Sequence, residues 1–219
     1  MKSKGELIAE SLYRHSTPLR ILDVGYVQHA NPALKGEVYG IDIVDGKKPD
    51  SYVEVKQVDL NFQDIPYPDG FFDAVTMGCV LAHVTNPLRL LTDINRVLKP
   101  GGMLVFSSPN PHYYWEIVLN VFHSFFKTRV SKGKLIEHFY EFSRYSAGTI
   151  TDRAGFTMIA QYGCSFTVVK TNLKFNPYWY PGLAYEIIYV VKKNRDPELF
   201  TTTDEGPGKG IRRLPTRFD

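Results

Sequence analysis

The stretch PLRILDVGYVQHANPALKGEVYGID, Pro18 to Asp42, constrains the fold of this chain more than any other. Arg20 to Val24 is a short apolar run containing one acid, bounded by Pro18 and Gly25. It reads as a buried strand. Gly25 ends it where a backbone must turn tightly or come close to a ligand. A second apolar run, Glu37 to Ile43, carries Asp42, some 17 positions past Gly25. Two such strands joined by a loop open an α/β sheet, whose ligand crevice lies at the carboxyl ends of the strands. An acid at this distance from the glycine suits a pair of ribose hydroxyls. The glycine motif departs from G-x-G, because Tyr26, Val27, Gln28 and His29 follow Gly25. An ordinary buried strand with a turn glycine is the alternative reading of this stretch alone.

Strands and helices then alternate. Gly5 to His15 places Leu7, Ile8, Leu12 and Tyr13 on one side of a helix that Pro18 stops. Val53 to Val58 reads as a third strand with Asp59 at its end, and Phe71 to Met77 as a fourth. Pro66, Pro68, Asp69 and Gly70 break the chain between them. A helix starts at Pro87 and repeats Leu88, Leu91, Ile94, Val97 and Leu98 at helical spacing. Lys99-Pro100-Gly101-Gly102 ends it, and Met103 to Ser107 is a fifth strand. Ser146 to Ala154 is a further helix, and Phe156 to Tyr162 and Ala184 to Val191 supply two last strands. The order predicts an α/β fold with a doubly wound, mostly parallel, seven-stranded sheet.

Asn110 to Tyr145 breaks this rhythm. Trp115, Val118, Leu119, Phe122 and Phe125 or Phe126 form an apolar stripe, and the basic run Lys127, Arg129, Lys132 and Lys134 follows. The segment is expected to be a helical lid over the crevice. Residues 1–192 then form a single domain, and 193–219 a polar tail.

Composition excludes some classes. No run approaches the ~18 apolar residues of a membrane span. The N-terminus shows no secretory signal, and the two cysteines, Cys79 and Cys164, suit a reduced cytoplasm. They are too few for a cysteine zinc site, and no metal ligand set is evident. A net charge of +3 does not by itself argue for nucleic acid.

The run from Val58 to Asn110 carries Asp59, a P-x-P-D-x-x-F-D loop from Pro66 to Asp73, and RVLKPGG from Arg96 to Gly102. With ILDVG before them, these resemble class I S-adenosylmethionine-dependent methyltransferases of the small-molecule type from Arg20 to Asn110. Tyr140-Glu141-Phe142-Ser143 and Ala154-Gly155-Phe156 resemble later elements of the same family. The resemblance implies a Rossmann-like methyltransferase fold, S-adenosylmethionine as cofactor and methyl transfer by in-line displacement. Gly25, Tyr26 and their neighbours would line the methionine end, with Asp23 near its ammonium. Asp42 and Ile43 would hold the ribose end, and Asp59 and Leu60 the adenine. Met77, Gly78 and Cys79 would flank the sulfonium. The cofactor's ammonium, hydroxyls and amine are all donors, and three strand-end carboxylates are matching acceptors.

His83 is the candidate catalytic base; local packing is its other reading. Asp73 reads as a loop cap, His138 as structural, and the basic run as a solvated loop. The expected acceptor is a small molecule or a lipid- or sugar-linked metabolite, with peripheral membrane contact allowed by the cations. Two alternatives stay open: a non-catalytic, partner-binding relative, motivated by Tyr26 and Gln28, and a nucleic-acid methyltransferase, motivated by the basic insertion and Arg212, Arg213 and Arg217. Against the latter, MGCVLAH after strand four lacks the N/D-P-P-Y pattern of adenine-amino methylation.

Overall fold

The computed structural model describes residues 2–114, 117–118, 139–167, 174–197, 200–202 and 211–213. Seven strands form one sheet: β1 (Arg20–Val24), β2 (Glu37–Asp42), β3 (Tyr52–Gln57), β4 (Phe72–Gly78), β5 (Leu98–Pro109), β6 (Phe156–Cys164) and β7 (Glu186–Lys193). Their order across the sheet is β3-β2-β1-β4-β5-β7-β6. The first five are parallel, and β7 runs antiparallel to both β5 and β6. The order reverses between β1 and β4, so the carboxyl ends of these strands open a crevice at the switch point.

Helix α1 (Lys4–Tyr13) begins with a capping box, in which Ser3 and Glu6 satisfy each other's backbone N–H groups. Its Leu7, Ile8 and Leu12 are buried on one face of the sheet with Ile21, Val38 and Val105. The opposite face carries α3 (Pro87–Val97) and α4 (Arg144–Arg153), packed on Leu22, Val24, Leu104 and Phe106. Successive strand residues point to opposite faces, so Ile21 serves one core and Leu22 the other. Both faces are covered, which is why the central strands read as unbroken apolar runs. Asn86 caps α3 by accepting the Arg89 backbone N–H at 3.0 Å, with Pro87 in the first turn.

Three local features differ from the sequence-based expectation. Gly25 is followed by one helical turn, α2 (Tyr26–His29), rather than an open loop. Lys99–Gly102 does not separate helix from strand. β5 already begins at Leu98, paired with Phe72, and the glycines form an irregularity inside it before Met103 pairs with Ala74. Gly101 has φ +76° there, which lets the extra residues bulge without a steric cost. In the expected tail, Phe200–Thr202 pairs antiparallel with Ile211–Arg213.

Most of the expected lid lies outside the described residues, including Trp115, Leu119, Phe122, Phe125, Phe126, His138 and Lys127 to Lys134. Its two ends are described. Ile117 N–H donates to Tyr113 C=O in a helical turn, and Phe139 N–H donates to Ala82 C=O at 2.7 Å. The return of the segment is therefore tied to the turn that follows β4.

Candidate functional site

The crevice at the switch point is a cavity of about 480 Å³, within the size range of small-molecule sites. Asp23, Gly25, Asp42, Ile43, Asp59, Leu60, Met77, Gly78 and His83 all line it. Nine side chains or backbones singled out from the sequence thus meet at one place, because the parallel strands β1, β2, β3 and β4 end there.

Gly25 has φ +82°, the left-handed region, and a Cβ built on it would lie 2.7 Å from Val80 Cγ2. Both conformation and space therefore require glycine. Gly25 lines the cavity beside Val80. Asp42 is oriented from two sides. Its Oδ2 accepts the Val27 N–H at 2.9 Å and its Oδ1 accepts the Val44 N–H at 3.0 Å. Each carboxylate oxygen keeps a second lone pair for an incoming hydroxyl. Asp59 Oδ1 accepts the Asn61 N–H at 2.9 Å, and Asn61 Oδ1 in turn accepts from Thr85 N–H and hydroxyl. That bond pair joins the β3 side of the cavity to the β4 side.

Asp23 is the least exposed of the acids, at 6%. It accepts a short hydrogen bond from the Tyr52 hydroxyl and one from Thr76 Oγ1 at 2.9 Å. Burial pushes its carboxyl up to about 6, against the pull of those two hydrogen bonds. Asp23 thus ties the end of β1 to the start of β3 and to β4 while still bordering the cavity. Asp73 plays no part there. It accepts from Leu19 N–H and Arg20 N–H and pairs with Lys99, tying the entry of β1 to β4 and β5.

Two of the expected cofactor residues are not in the lining. Tyr26 is buried, 3% exposed, beneath β2. A Cβ on Gly40 would meet its ring at 2.8 Å, and its hydroxyl donates to Gly46 C=O at 3.1 Å. Gly46 makes the matching space for Val27, at 2.5 Å. The small residues missing from the turn are thus supplied opposite it, at Gly40 and Gly46. Cys79 also turns away. Its φ is +62°, and its Sγ lies 3.0 Å from Glu186 Oε1 and 3.5 Å from Ser107 Oγ. Burial, then the Glu186 charge, push the thiol up to about 11. It is a packed thiol between β4, β5 and β7 and does not line the cavity.

The structure adds residues that sequence reading missed. Lys4, Gly5 and Ile8 of α1 line the cavity, as do Gln28, Asn31, Val44 and Thr76. Lys4 Nζ bonds Glu186 Oε1 at 3.2 Å, so the start of α1 is fastened to the start of β7 beside Gly78. No local pattern marks Lys4. The visible signals for the neighbouring features are the glycines in VYGID and IVDG.

These residues fit an S-adenosyl cofactor. The Gly25 cradle is one that a Cβ would fill, and the donors of that molecule meet acceptors on three adjacent strand ends. Comparison with known proteins points the same way. Residues 22–106 match the model of a family described as "Methyltransferase domain". A curated demethylmenaquinone methyltransferase from Lysinibacillus sphaericus is 40% identical over 76 residues, 32% of this chain and 32% of that protein. One from Listeria welshimeri is 34% identical over 110 residues, 42% of this chain and 47% of that protein. The chain thus matches from about 32% to 47% of the length of these relatives. Among solved structures, a possible histamine N-methyltransferase from Thermotoga maritima superposes with TM-score 0.61 at 17% identity, covering 87% of this chain and 88% of the other. A didemethyltoxoflavin N1-methyltransferase from Burkholderia thailandensis, solved with S-adenosylhomocysteine, gives 0.58 at 16% identity, covering 88% and 79%. At these identities the likeness is one of fold.

Proposed function

We propose that the chain, whose residues 22–106 match the model of a methyltransferase domain, is a class I S-adenosylmethionine-dependent methyltransferase that transfers a methyl group to a small-molecule acceptor. The observation that carries this reading is the set Asp23, Asp42 and Asp59 on three neighbouring strand ends around one cavity, with Gly25 at its floor. When bound, the cofactor supplies a methyl group already activated by its sulfonium. The protein's residues hold, align and desolvate. Asp42, fixed by two backbone N–H groups, receives the ribose hydroxyls. Asp59 and Leu60 receive the adenine, and Asp23 borders the methionine ammonium. Gly78 has no side chain, and only Lys4 Cε and Ile8 Cδ1, at 3.7 and 3.9 Å from where a Cβ would stand, lie near it, which leaves room for the line of attack.

His83 ends the turn after β4 and lines the cavity. It is the residue we assign to take a proton when the acceptor is a hydroxyl. Demethylmenaquinone methyltransferases among the relatives, together with the aromatic groups Tyr113, Phe166 and Tyr185 beyond β5, favour an apolar ring or lipid-linked acceptor. Calorimetry with S-adenosylmethionine and S-adenosylhomocysteine tests the cofactor half of this reading. Both should bind, and absence of heat with either overturns it. Native mass spectrometry of the purified chain would show a retained cofactor, and a retained acceptor would give its mass.

A further inference from the structure

The loop between β6 and β7 presents an unusual surface. Trp179 is 66% exposed, Tyr180 69% and Leu183 55%, within five consecutive residues that also hold Pro181 and Gly182. Large apolar groups clustered in this way mark an interaction surface. The backbone that carries them is pinned. Gly163 N–H donates to Tyr178 C=O at 2.8 Å, Tyr180 N–H to Pro177 C=O at 2.8 Å, and Tyr185 N–H to Ser165 C=O at 2.7 Å. Asn110 Nδ2 donates to Ala184 C=O at 2.8 Å. A Cβ at Gly163 would meet Pro177 O at 2.3 Å, so the loop is pressed onto β6 where that strand has no side chain. Exposed aromatic groups on a fixed backbone are ordered before any partner arrives, which lowers the entropy lost on docking.

We propose that this loop docks the protein on an anionic lipid bilayer, with Trp179, Tyr180 and Leu183 entering the interface. Trp and Tyr combine an apolar body with a polar tip, the combination favoured at the headgroup level. The charge around the loop agrees. The Arg14 guanidinium lies 5.2 Å from the Trp179 ring and 5.4 Å from the Tyr178 ring, and Lys174 is exposed on the short strand Lys174–Phe175 just before them. The nearby acids are already engaged. Glu10 pairs with Lys2 and Arg14, Glu6 with the Ser3 backbone, and Glu186 with Lys4. The four cations Lys2, Lys4, Arg14 and Lys174 exceed the three acids Glu6, Glu10 and Glu186 by one, and that excess, left on Lys174 because the other cations are paired, is drawn to a negative leaflet. Position gives the docking a purpose. The loop runs into Glu186, which pairs with Pro109 at the carboxyl edge of the sheet and bonds Lys4 of the crevice. An acceptor held in the bilayer would thus be delivered beside Gly78. That purpose rests on the methyltransferase reading; the docking itself does not. No helix among the described residues is long enough and apolar enough to cross a membrane, so attachment would be peripheral.

The chain has two tryptophans, Trp115 and Trp179. Trp115→Phe therefore makes Trp179 the sole indole reporter. In the full chain without cofactor, its emission should shift to the blue on adding phosphatidylglycerol–phosphatidylcholine vesicles. Brominated acyl chains in those vesicles should quench it. Vesicles of phosphatidylcholine alone should bind more weakly. The double variant Trp179→Ala/Tyr180→Ala should lose vesicle binding by about tenfold or more, with melting temperature and cofactor affinity kept. Unchanged emission with both vesicle types overturns the proposal, and equal binding to both removes the anionic surface. A blue shift that instead follows protein concentration, with a dimer in sedimentation velocity, makes a second copy the occupant and overturns it too. Vesicle binding without any heat from the cofactor would sustain the docking and sink the methyltransferase reading.

Discussion

At the ends of two neighbouring parallel strands the backbone turns through the left-handed region, at Gly25 after β1 and at Cys79 after β4. The first turn does without a side chain because a Cβ would collide with Val80 and fill the cavity floor. The second keeps a side chain because it points the other way, toward Glu186 and Ser107, whose contacts offset the cost of the conformation. The same backbone geometry thus serves two purposes. One turn gives up side-chain packing to let a ligand approach; the other accepts strain to join three strands behind the site.

The largest expected effect is at the first turn. Gly25→Ala should cost about 1–2 kcal/mol for the left-handed conformation and about 1–3 kcal/mol for overpacking. Cofactor binding should disappear in calorimetry, with a clear drop in melting temperature. Adding Val80→Ala should recover the packing share only. If the double variant recovers binding fully, the conformation is not what demands glycine.

Next in size is Asp23, between the two turns. Its carboxyl titrates near 6 in the fold, above the ordinary 3.8. Below both values the group is protonated in folded and unfolded chains and contributes nothing. As pH rises from about 4 to about 6 the unfolded chain ionises first, so the ligand-free protein should lose stability, on the order of 2–3 kcal/mol, and then level off. Urea melts across that range should show the decline, and Asp23→Asn should flatten it. A stability that rises over the same interval would mean that the Tyr52 and Thr76 hydrogen bonds outweigh burial at this carboxyl.

Asp42→Ala should weaken S-adenosylmethionine binding by about tenfold to a hundredfold, because charge-assisted bonds contribute ~1.5–3 kcal/mol. Equal affinity in wild type and variant would move the ribose elsewhere. The smallest change is expected at the second turn. Cys79→Gly exchanges relief of the left-handed strain for loss of the buried sulfur, so stability should stay within about 1 kcal/mol. Cofactor affinity should be unaltered; a collapse would place Cys79 in the crevice after all.

The sequence by itself determined the sheet and the acids, turn glycine and histidine that border the cavity. Strand runs bounded by proline and glycine, helices with capping residues, and acids at strand ends are local patterns, and each is readable because backbone sterics and burial act within a few residues. Asp23, Gly25, Asp42, Asp59 and His83 were visible for that reason. The tertiary structure alone decided Tyr26, Cys79 and Lys4. Whether Tyr26 faces a ligand or the core depends on the empty space above Gly40, fourteen positions away along the chain and adjacent only after β1 and β2 pair. The direction of Cys79 depends on Glu186, and Lys4 reaches the crevice only because α1 packs across the strands that form it. Side-chain direction at a turn is set by which neighbour leaves room or offers a hydrogen bond. Those neighbours come from distant parts of the chain, so the outcome is written in packing and not in any local run of residues.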